Sequence, residues 1–550
     1  MKKLWKCGLA ISCVAALLAG CGSSQNTMEN SSESVAAEVA ESKIYEGATY
    51  IELADEGILV NEEAISHEAT EAVYAANDIV YYEEGQDFTY GEGTEEDAHS
   101  KEEADKHTVV HITKPGTYVL SGSLSAGQIA VDLGEDAKED PEAVVTLVLN
   151  GVDITNTVAP GVIFYNVYEC GDDDAENASS TVDTTNAGAN VILADGSVNK
   201  ISGSYVAKIY ESVELNEAGT EVADSEKLHK YDGAFYSKMS MNVSGEDAGT
   251  GELYIYAENE GLDSELHLTI NGGNIYIYSG NDGINTNEDG VSVITINDGS
   301  LFIRVEGTTG EGDGIDSNGY LVINGGSVFT EANSDSQDAG IDSDMGIFLQ
   351  GGTVAATGNM LDAIEDSGQT YVVFSFAEKQ QGNAIYILKD EDGQDVLSVA
   401  PANAFSYLLV SSEELAPGTY TLWQGDSQLS GVEGGNAGAP GQGMHEGFTG
   451  EKPEGMEAPE GMEKPEGMEA PEGMEKPEGV EAPEGMEKPE GVEVPEGMKK
   501  PEGMEAPEGM EKPEGMEAPE GMDMPAAGER TTQFTLVAGG NYFSNVGIAE

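Results

Sequence analysis

The tetrapeptide Gly261-Leu262-Asp263-Ser264 recurs along the chain as Gly283-Ile284-Asn285-Thr286, Gly314-Ile315-Asp316-Ser317, Gly340-Ile341-Asp342-Ser343 and Ala363-Ile364-Glu365-Asp366. Successive copies begin 22, 31, 26 and 23 residues apart. A single repeat of this length cannot bury its own apolar face, but stacked repeats can. Because no helical pattern separates the copies, the period predicts an all-β protein built on a parallel β-helix.

A second repeated phrase lies between the first ones and supports the same fold. Ile270-Asn271-Gly272-Gly273-Asn274 has counterparts at 296–300, 323–327 and 349–353. Each repeat thus contains two or three short strands, with Gly or Asn at corners that favour positive φ. A β-propeller blade would need roughly 40 residues and antiparallel hairpin turns, which this spacing does not provide.

The composition is strongly acidic. The 550 residues include 103 Asp and Glu against 24 Lys and Arg, which gives a net charge of −79. Nucleic-acid binding is therefore excluded as a default, because phosphate backbones require a basic surface. Attraction to an anionic lipid surface is excluded for the same reason. The 71 glycines, together with many Val, Ile and Tyr, favour β-structure with frequent turns.

The N-terminal segment is typical of an exported lipoprotein. Lys2, Lys3 and Lys6 precede an apolar run from Leu9 to Leu18, which is too short to span a bilayer and suits a signal peptide. The following Leu18-Ala19-Gly20-Cys21 resembles the bacterial lipobox, so Cys21 is the expected lipidation site. The alternative is an ordinary cleaved signal with a coincidental cysteine. Lipidation predicts a protein anchored at the extracellular face of the cell membrane, with the lipid as its membrane contact.

Processing at Cys21 would leave Cys170 as the single free thiol of the mature chain. No internal disulfide can then form, so packing, metal binding or both must stabilise the exported protein. No histidine lies near Cys170 in the sequence, and we interpret this cysteine as structural or incidental.

The remaining sequence divides by composition and strand pattern. The predicted segments are a lipoprotein signal peptide (1–20), a disordered tether (21–45), an unassigned acidic region (46–104), the parallel β-helix (105–370), a C-terminal β cap (371–430 plus 530–550) and a low-complexity spacer inserted into that cap (431–529). In the spacer, Pro-Glu-Gly-Met recurs every six residues, which predicts an extended, solvated segment. Strand pattern returns at 533–537, and we expect this strand to pair with 419–423. Residues 155–230 read as an irregular acidic insertion.

Acidic residues recur at equivalent corners of the predicted coils. The candidate metal ligands are Asp263, Asn285, Asp316, Asp342 and Glu365 in one column, and Asp282, Asp313 and Asp362 in a second column. Carboxylates about 4.8 Å apart on adjacent coils repel by about 3 kcal/mol at an effective dielectric constant of 20. Arg304 is the single Lys or Arg between Met239 and Glu378. Calcium, which takes six to eight oxygen ligands, would offset this repulsion. The alternative is that these side chains cap turns and face water.

A second predicted column is aromatic. Aligning the strands after the Gly-Gly corner places Tyr254, Tyr276, Phe302 and Phe329 in register, with their apolar neighbours facing the core. The rings should form a flat outer ladder on which sugar rings could stack through their C–H groups. Equally, such a ladder could stabilise the sheet, or the N-terminal region could cover it.

Catalytic signatures are sparse. Arg304 stands alone on its strand beside the aromatic column, and acidic pairs are too common in this chain to identify a hydrolase. His267 is expected to be an outward-facing strand residue. The sequence contains no Gly-x-Ser-x-Gly motif, Walker loop or zinc-spaced Cys/His cluster.

Taken together, the motifs resemble bacterial surface carbohydrate-binding β-helix proteins that bind cellulose and pectin and carry calcium. The resemblance is carried by residues 116–122, 145–154 and 233–238 and by the Asp-Gly-Ile-Asp/Asn corners. The resemblance implies a right-handed parallel β-helix like that of pectate lyases, in a protein that binds polysaccharide without cleaving it, with calcium ligation at the Asp corners. The insertion at 155–230 and the Pro-Glu-Gly-Met spacer depart from the family pattern.

The function expected from the sequence is calcium-dependent, non-catalytic binding of a pectin- or cellulose-like polysaccharide by a surface lipoprotein. A calcium-dependent lyase of acidic glycans is one alternative. A surface adhesin for a protein partner is the other.

Overall fold

The computed structural model describes residues 45–171, 174–175, 177–307, 312–365, 368–434 and 529–549. The predicted signal peptide, Cys21, nearly all of the tether and nearly all of the spacer lie outside these residues. The strands and sites described lie in the unit formed by residues 48–550. Among the described residues, no helix is long and apolar enough to cross a membrane.

Regular structure is nearly all β. The first seventeen strands are β1 Thr49–Leu53, β2 Leu59–Val60, β3 Glu63–Ala64, β4 Val73–Ala76, β5 Thr108–Ile112, β6 Gly116–Leu124, β7 Gly127–Asp132, β8 Val145–Thr155, β9 Val162–Asn166, β10 Ala189–Leu193, β11 Val198–Gly203, β12 Val206–Leu215, β13 Val222–Tyr231, β14 Gly233–Ser237, β15 Met241–Gly245, β16 Glu252–Ala257 and β17 Glu260–Ser264. The described residues also include a one-turn α-helix, Lys101–Ala104, and a 3-10 turn, Glu135–Glu139.

The second half of the described chain continues in short strands. They are β18 His267–Ile270, β19 Asn274–Ser279, β20 Ile284–Thr286, β21 Val293–Ile296, β22 Ser300–Val305, β23 Tyr320–Ile323, β24 Ser327–Glu331, β25 Gly346–Leu349, β26 Thr353–Gly358, β27 Tyr371–Gln380, β28 Tyr386–Lys389, β29 Asp395–Val399, β30 Phe405–Ser412, β31 Gly418–Gln424, β32 Ser427–Glu433, β33 Phe534–Leu536 and β34 Gly540–Ile548.

Most of these strands form three parallel stacks. The first stack is β5-β7-β9-β14-β17-β20. The second is β1-β6-β8-β10-β15-β18-β21-β23-β25. The third begins at the C-terminal half of β8 and runs β11-β16-β19-β22-β24-β26. From β14 to β22 the chain visits the first, second and third stacks in strict rotation.

Side-chain alternation along the strands produces one shared apolar core. Leu253 and Ile255 of β16 are fully buried, whereas Tyr254 between them is partly exposed. One continuous cluster of buried, mostly aliphatic residues joins all three stacks. Because each strand has a period of two, its other face is left for surface chemistry.

The repeated Gly-Gly phrase forms the corner between the second and third stacks. Gly299 and Gly326 have φ of 100° and 78°, in the left-handed region that favours glycine. A Cβ atom at Gly299 would lie 2.7 Å from the carbonyl oxygen of Gly273 on the neighbouring turn. Glycine is therefore required by both the backbone conformation and the close approach of adjacent turns.

Two regions without a clear sequence assignment contribute to this architecture. In the 46–104 region, β1 pairs in parallel with β6 and β4 pairs antiparallel with β5. The interpretation of 155–230 as an irregular insertion was wrong. It supplies β9, β10 and β11, and an antiparallel hairpin, β12–β13, that interrupts the rotation. Its strands lack the later repeat phrases, so the sequence period did not reveal them.

The C-terminal strands form a second apolar cluster around Phe374, Phe405, Phe534 and Phe543. They join the third stack where β30 pairs antiparallel with β26. The expected pairing of 533–537 with 419–423 is confirmed, since β33 lies antiparallel to β31 with Thr535 opposite Thr419. Chain segments on either side of the predicted spacer therefore belong to one packed region.

Candidate functional site

The densest group of acidic side chains lies on the first stack. Strand β17 supplies Glu260 and Asp263, and Asp232 follows the hairpin strand β13. One carboxylate oxygen from each residue lies within 4.8 Å of the other two. All three side chains are buried, and Asp263 is completely inaccessible. Burial of three carboxylates together is costly unless cations or protons compensate them.

Most of the predicted corner column continues from this group. Asp263 pairs with Asn285 in the parallel β17–β20 register. Asp316 follows Ile315, which bridges to Ile284 on the previous turn. Asp342 then donates its backbone N–H to the Ile315 carbonyl oxygen at 2.7 Å. The repeat therefore places these four side chains on successive turns of one corner.

Glu365 was wrongly placed in this column. Its backbone N–H donates to the carbonyl oxygen of Ile347 at 2.9 Å, beside β25 of the second stack. Its neighbour Ile364 likewise bridges to Ile347 and not to Ile341. The chain leaves the corner before this last copy of the phrase, so sequence similarity here does not correspond to structural equivalence.

The second predicted column is only partly continuous. The Asp282 and Asp313 carbonyl oxygens accept from Gly261 and Gly283, respectively, whereas Ala339 occupies the next position. Asp362 lies close enough to Asp342 for its charge to raise the pKa of that carboxyl group. Glu260, which the sequence analysis missed, holds the position before Asp282 and could have been found from its place immediately before Gly261.

Burial and mutual repulsion raise carboxyl pKa values throughout this region. Burial is the larger cause, followed by the nearby charges of Asp263 for Glu260 and of Asp232 for Asp263. The same causes raise the pKa of Asp342 to about 8. Burial and neighbouring carboxylates also raise the pKa values of Asp313 and Asp316 well above the ordinary range.

Lysines from the hairpin reach the first part of the cluster, which the sequence analysis did not foresee. Lys230 Nζ lies 2.6 Å from Asp232 Oδ2, and Lys227 Nζ lies 3.1 Å from Glu265 Oε2. Burial alone would lower the pKa of Lys230, but the charges of Asp232 and Glu260 raise it. The carboxylates therefore favour the protonated, positively charged form of Lys230.

Several buried oxygens of the cluster have no hydrogen-bond partner within the described part of the chain. They are Asp263 Oδ2, Asn281 Oδ1, Asn285 Oδ1, Asp342 Oδ1 and Asp362 Oδ2. The other oxygen of Asp263 accepts from Asn287 Nδ2 at 2.7 Å, so the side chain is held in place. Oriented, unpartnered carboxylate and amide oxygens are the donor set that a hard cation such as calcium prefers.

The predicted aromatic column occupies the outer face of the third stack. Tyr254, Tyr276, Phe302 and Phe329 pair in register across β16, β19, β22 and β24. The Tyr254 and Tyr276 rings stack with centroids 4.6 Å apart and planes 10° apart. All four rings are partly exposed. The N-terminal strand β1 pairs with β6 of the second stack, away from this face.

A second aromatic column runs beside the first and was missed. Tyr256, which is 43% exposed, stacks on Tyr278 with centroids 5.4 Å apart and planes 9° apart. Arg304 continues this column with its guanidinium 5.2 Å from the Phe302 ring centroid. We call the two columns together the aromatic ladder. The second column could have been predicted from the sequence, because each of its residues stands two positions after a residue of the first column.

The surroundings of two other residues, His267 and Cys170, do not activate them for catalysis. His267 is buried, which contradicts the expected outward position, because Gly171 of the 155–230 region packs on its ring. Its Nδ1 accepts from the Val293 N–H at 3.1 Å, and burial lowers its pKa to about 4. Burial raises the pKa of Cys170 to about 11, so its thiol is not an activated nucleophile.

The geometry defines an acidic, nearly all-β protein with parallel strand stacks, a buried carboxylate column and an exposed aromatic face. A family described as "Carbohydrate-binding domain-containing protein" matches residues 106–411, which is more than half of the chain. The protein therefore belongs to this carbohydrate-binding domain family.

Individual relatives match less of the chain. A curated protein of the same description from Acetivibrio thermocellus (strain ATCC 27405) is 31% identical over 166 residues. The match spans 30% of this chain and 43% of that relative. A solved structure described as the polysaccharide lyase-like protein from C. thermocellum, a gadolinium derivative, is 19% identical, with a TM-score of 0.32. That comparison covers 58% of this chain and 92% of the other.

Proposed function

We propose that this protein binds polysaccharide without cleaving it, through the aromatic ladder of a right-handed parallel β-helix stabilised by calcium. Membership of a carbohydrate-binding domain family supports the ligand class. The three parallel stacks, visited in rotation around one core, support the helix. The observation that carries the proposal is the stacked, solvent-facing pair Tyr254 and Tyr276.

The aromatic ladder suits a glycan for physical reasons. Because the Tyr254 and Tyr276 rings stack on one another, each largely covers the other's face, and their outer edges are the parts that the apolar face of a sugar ring could contact. The phenol hydroxyl of Tyr276 could bind the sugar's polar edge, whereas that of Tyr254 donates to Glu252 Oε2 at 2.9 Å. Adjacent strands are about 4.8 Å apart, so successive rings repeat along the stack at a distance comparable to one sugar unit. A polysaccharide chain could therefore run across the strands and contact one aromatic residue at each turn.

The acidic corner column suits calcium. Asp232, Glu260, Asp263 and Asn285 would hold one ion, with the unpartnered oxygens of Asp263 and Asn285 among its ligands. Asp282, Asp313, Asp316, Asp342 and Asp362 would supply further oxygens along the same corner. The ion would supply positive charge that offsets the repulsion between turns. An anionic glycan such as polygalacturonate would bind through bridging calcium, whereas a neutral glucan would use the aromatic ladder directly.

A calcium-dependent lyase is the alternative. A lyase needs a base that removes a proton next to the uronate carboxyl group. Lys230 lies beside the acidic corner but is paired with Asp232, with its Nζ 2.6 Å from Asp232 Oδ2. A lyase would release unsaturated products that absorb in the near ultraviolet.

We also propose that the protein is anchored by lipid at Cys21 and displayed at the extracellular face of the membrane. The lipobox-like sequence supports this location. Metabolic labelling with a radioactive fatty acid should mark the wild-type chain and not the Cys21→Ser variant.

Binding to insoluble cellulose and to polygalacturonate gel, in calcium and in EDTA, tests the proposed function. Wild type should be retained in calcium, and Tyr276→Ala should lose about tenfold in affinity for cellulose because stacking is lost. Tyr50→Ala, an exposed tyrosine on β1, is the matched control. Retention of neither polymer, or unsaturated product release, would contradict the proposal.

A further inference from the structure

A surface cleft lies on the outer face of the second stack, away from the aromatic ladder and the acidic corner. It has a volume of about 390 Å³, within the roughly 300–1,000 Å³ of typical ligand sites. Its floor follows two columns of the stack. The inner column is Asn242, Thr269, Thr295, Val322 and Phe348, and the edge column is Asn271, Asn297, Asn324 and Gln350.

The edge column is an ordered ladder of amides. Asn324 Nδ2 donates to Asn297 Oδ1 at 2.9 Å, and Asn297 Nδ2 donates to Asn271 Oδ1 at 2.8 Å. Each donating amide uses one N–H in the ladder, which leaves its second N–H for another acceptor. All three side chains are exposed. The ladder therefore presents oriented hydrogen-bonding groups at every turn of the stack.

A hydroxyl group of the protein itself already binds to the floor of the cleft. Residues 180–185 form one wall of the cleft and insert Thr184 onto the first two turns. The Thr184 hydroxyl lies 2.8 Å from Asn242 Oδ1 and 2.7 Å from Thr269 Oγ1. A hydroxyl group is thus held by the same inner column that continues past the wall. On the following turns, Thr295 and the amides remain available.

An aromatic platform closes the far end of the floor. Phe348 faces outward and is partly exposed, and the Tyr320 ring lies 6.5 Å from it. Val322 lies between the amide ladder and this platform and adds apolar contact. Hydroxyl and amide donors beside an aromatic face form a surface that matches both the edge and the face of a sugar ring.

The charge of the cleft selects the kind of glycan. Among the residues that the structure describes, the lining contains one ionisable side chain, Asp183, whose Oδ1 accepts the Thr185 N–H at 3.0 Å. This part of the surface is therefore much less charged than the chain as a whole, whose net charge is −79. The described lining contains no Lys or Arg, so it offers a uronate carboxyl group no counter-charge. A neutral glycan loses no ionic contact by binding here.

We propose that this cleft is a second glycan site, specific for a neutral polysaccharide whose hydroxyls bind the Asn271–Asn297–Asn324 amide ladder and whose ring stacks on Phe348. The inference rests on the proposed function for its ligand class but concerns a different surface. The glycan would run along the stack, with one sugar unit at each turn.

Hydroxyl-radical footprinting with a neutral glucan hexasaccharide tests the site in the full-length chain with calcium present. The sugar should protect peptides that contain Tyr320 and Phe348, in addition to any protection of Tyr254 and Tyr276. Affinity electrophoresis in hydroxyethylcellulose should show about a tenfold loss for Asn297→Ala/Asn324→Ala, as expected for lost hydrogen bonds. Retention by polygalacturonate should not change.

Two further variants keep the test decisive. Phe348→Ala should weaken neutral-glycan binding without touching the amides, and Asn216→Ala, in the exposed turn of the β12–β13 hairpin, is the matched asparagine control. If Tyr276→Ala abolishes all binding and protection while the cleft variants bind normally, the second site is wrong and the proposed function stands. If wild type binds neither polymer, both are wrong.

Discussion

Asp263 combines complete burial, a fixed orientation and an unpartnered oxygen, so we expect it to dominate metal binding. In the wild-type chain, calcium at 100 times its dissociation constant should raise the free energy of unfolding by about 2.7 kcal/mol. Asp263→Asn should lose most of this gain, because the amide supplies no negative charge. Thermal unfolding in EDTA, calcium and magnesium measures the effect.

Asp298→Asn is the control for this substitution, since Asp298 lies on an exposed corner of the same repeat. It should keep the full response to calcium. An equal response in Asp263→Asn, or an equal shift with magnesium in wild type, would show that the acidic corner is not a calcium site.

His267 makes stability depend on pH in a predictable direction. Its pKa falls from about 6.5 in the unfolded chain to about 4 in the fold, so the unfolded state takes up the proton first. The free energy of unfolding therefore contains the full contribution of the neutral ring above pH 6.5. It loses this contribution as the pH falls towards 4, by up to about 3 kcal/mol. His267→Asn keeps an acceptor for the Val293 N–H and should remove this dependence.

Buried carboxyl groups change stability with pH in the opposite direction to His267. The histidine contribution must therefore be measured as the difference between wild type and His267→Asn. In EDTA, carboxyl groups with raised pKa values stabilise the fold as they become protonated, which for Asp342 begins near pH 8. Urea unfolding of wild type and His267→Asn at pH 7 and pH 4.5 isolates the histidine contribution. Equal differences between the two proteins at both pH values would refute the assignment.

At the level of strands, the C-terminal region is fastened to the third stack by Glu331. This inaccessible side chain accepts from the Ala402 and Asn403 N–H groups at 2.7 Å and pairs with Arg304 at 3.2 Å. Glu331→Gln should lower the free energy of unfolding by about 2 kcal/mol, because buried charge-assisted hydrogen bonds are weakened.

Glu306 offers a matched control for this substitution. It also pairs with Arg304, at 3.6 Å, but its side chain is mostly exposed. Glu306→Gln should change stability by less than about 0.5 kcal/mol, as surface ion pairs do. Urea unfolding followed by circular dichroism compares the variants, and similar losses for both would mean that Glu331 does not fasten the two regions.

The strand repeat explains which elements could be predicted from sequence. The register of Tyr254, Tyr276, Phe302 and Phe329 followed from aligning the Gly-Gly corners, because backbone sterics fix glycine there. Asp232 could not be predicted as a neighbour of Asp263, because the non-repeating hairpin carries it there. His267 was misjudged for a similar reason, since a distant segment covers a strand face that local alternation would expose.

At the scale of the whole molecule, acidity and fold are linked. Repetition brings like charges to the same corner on every turn, so each added turn adds repulsion as well as buried apolar surface. Near the start of the column, Lys230 and Lys227 of the hairpin offset the repulsion through ion pairs with Asp232 and Glu265, respectively. Further along, burial and the charges of neighbouring carboxylates raise the pKa values of Asp316 and Asp342, so a bound cation would contribute most there.

Closure of the C-terminal region can be tested by comparing a truncation with an internal deletion. Strand β32 pairs with β34, and Gly431 bridges to Thr531, so the chain ends that flank residues 435–528 lie close together. Replacing 435–528 by a short Gly/Ser linker should therefore leave the thermal midpoint unchanged. Ending the chain at Gly434 should instead unfold the region, because Phe534 and Phe543 are buried at its centre. Differential scanning calorimetry distinguishes the two variants, with intact full-length protein as the reference. A large loss of stability in the linker variant would mean that the deleted residues contribute to the packed structure and do not merely connect its two parts.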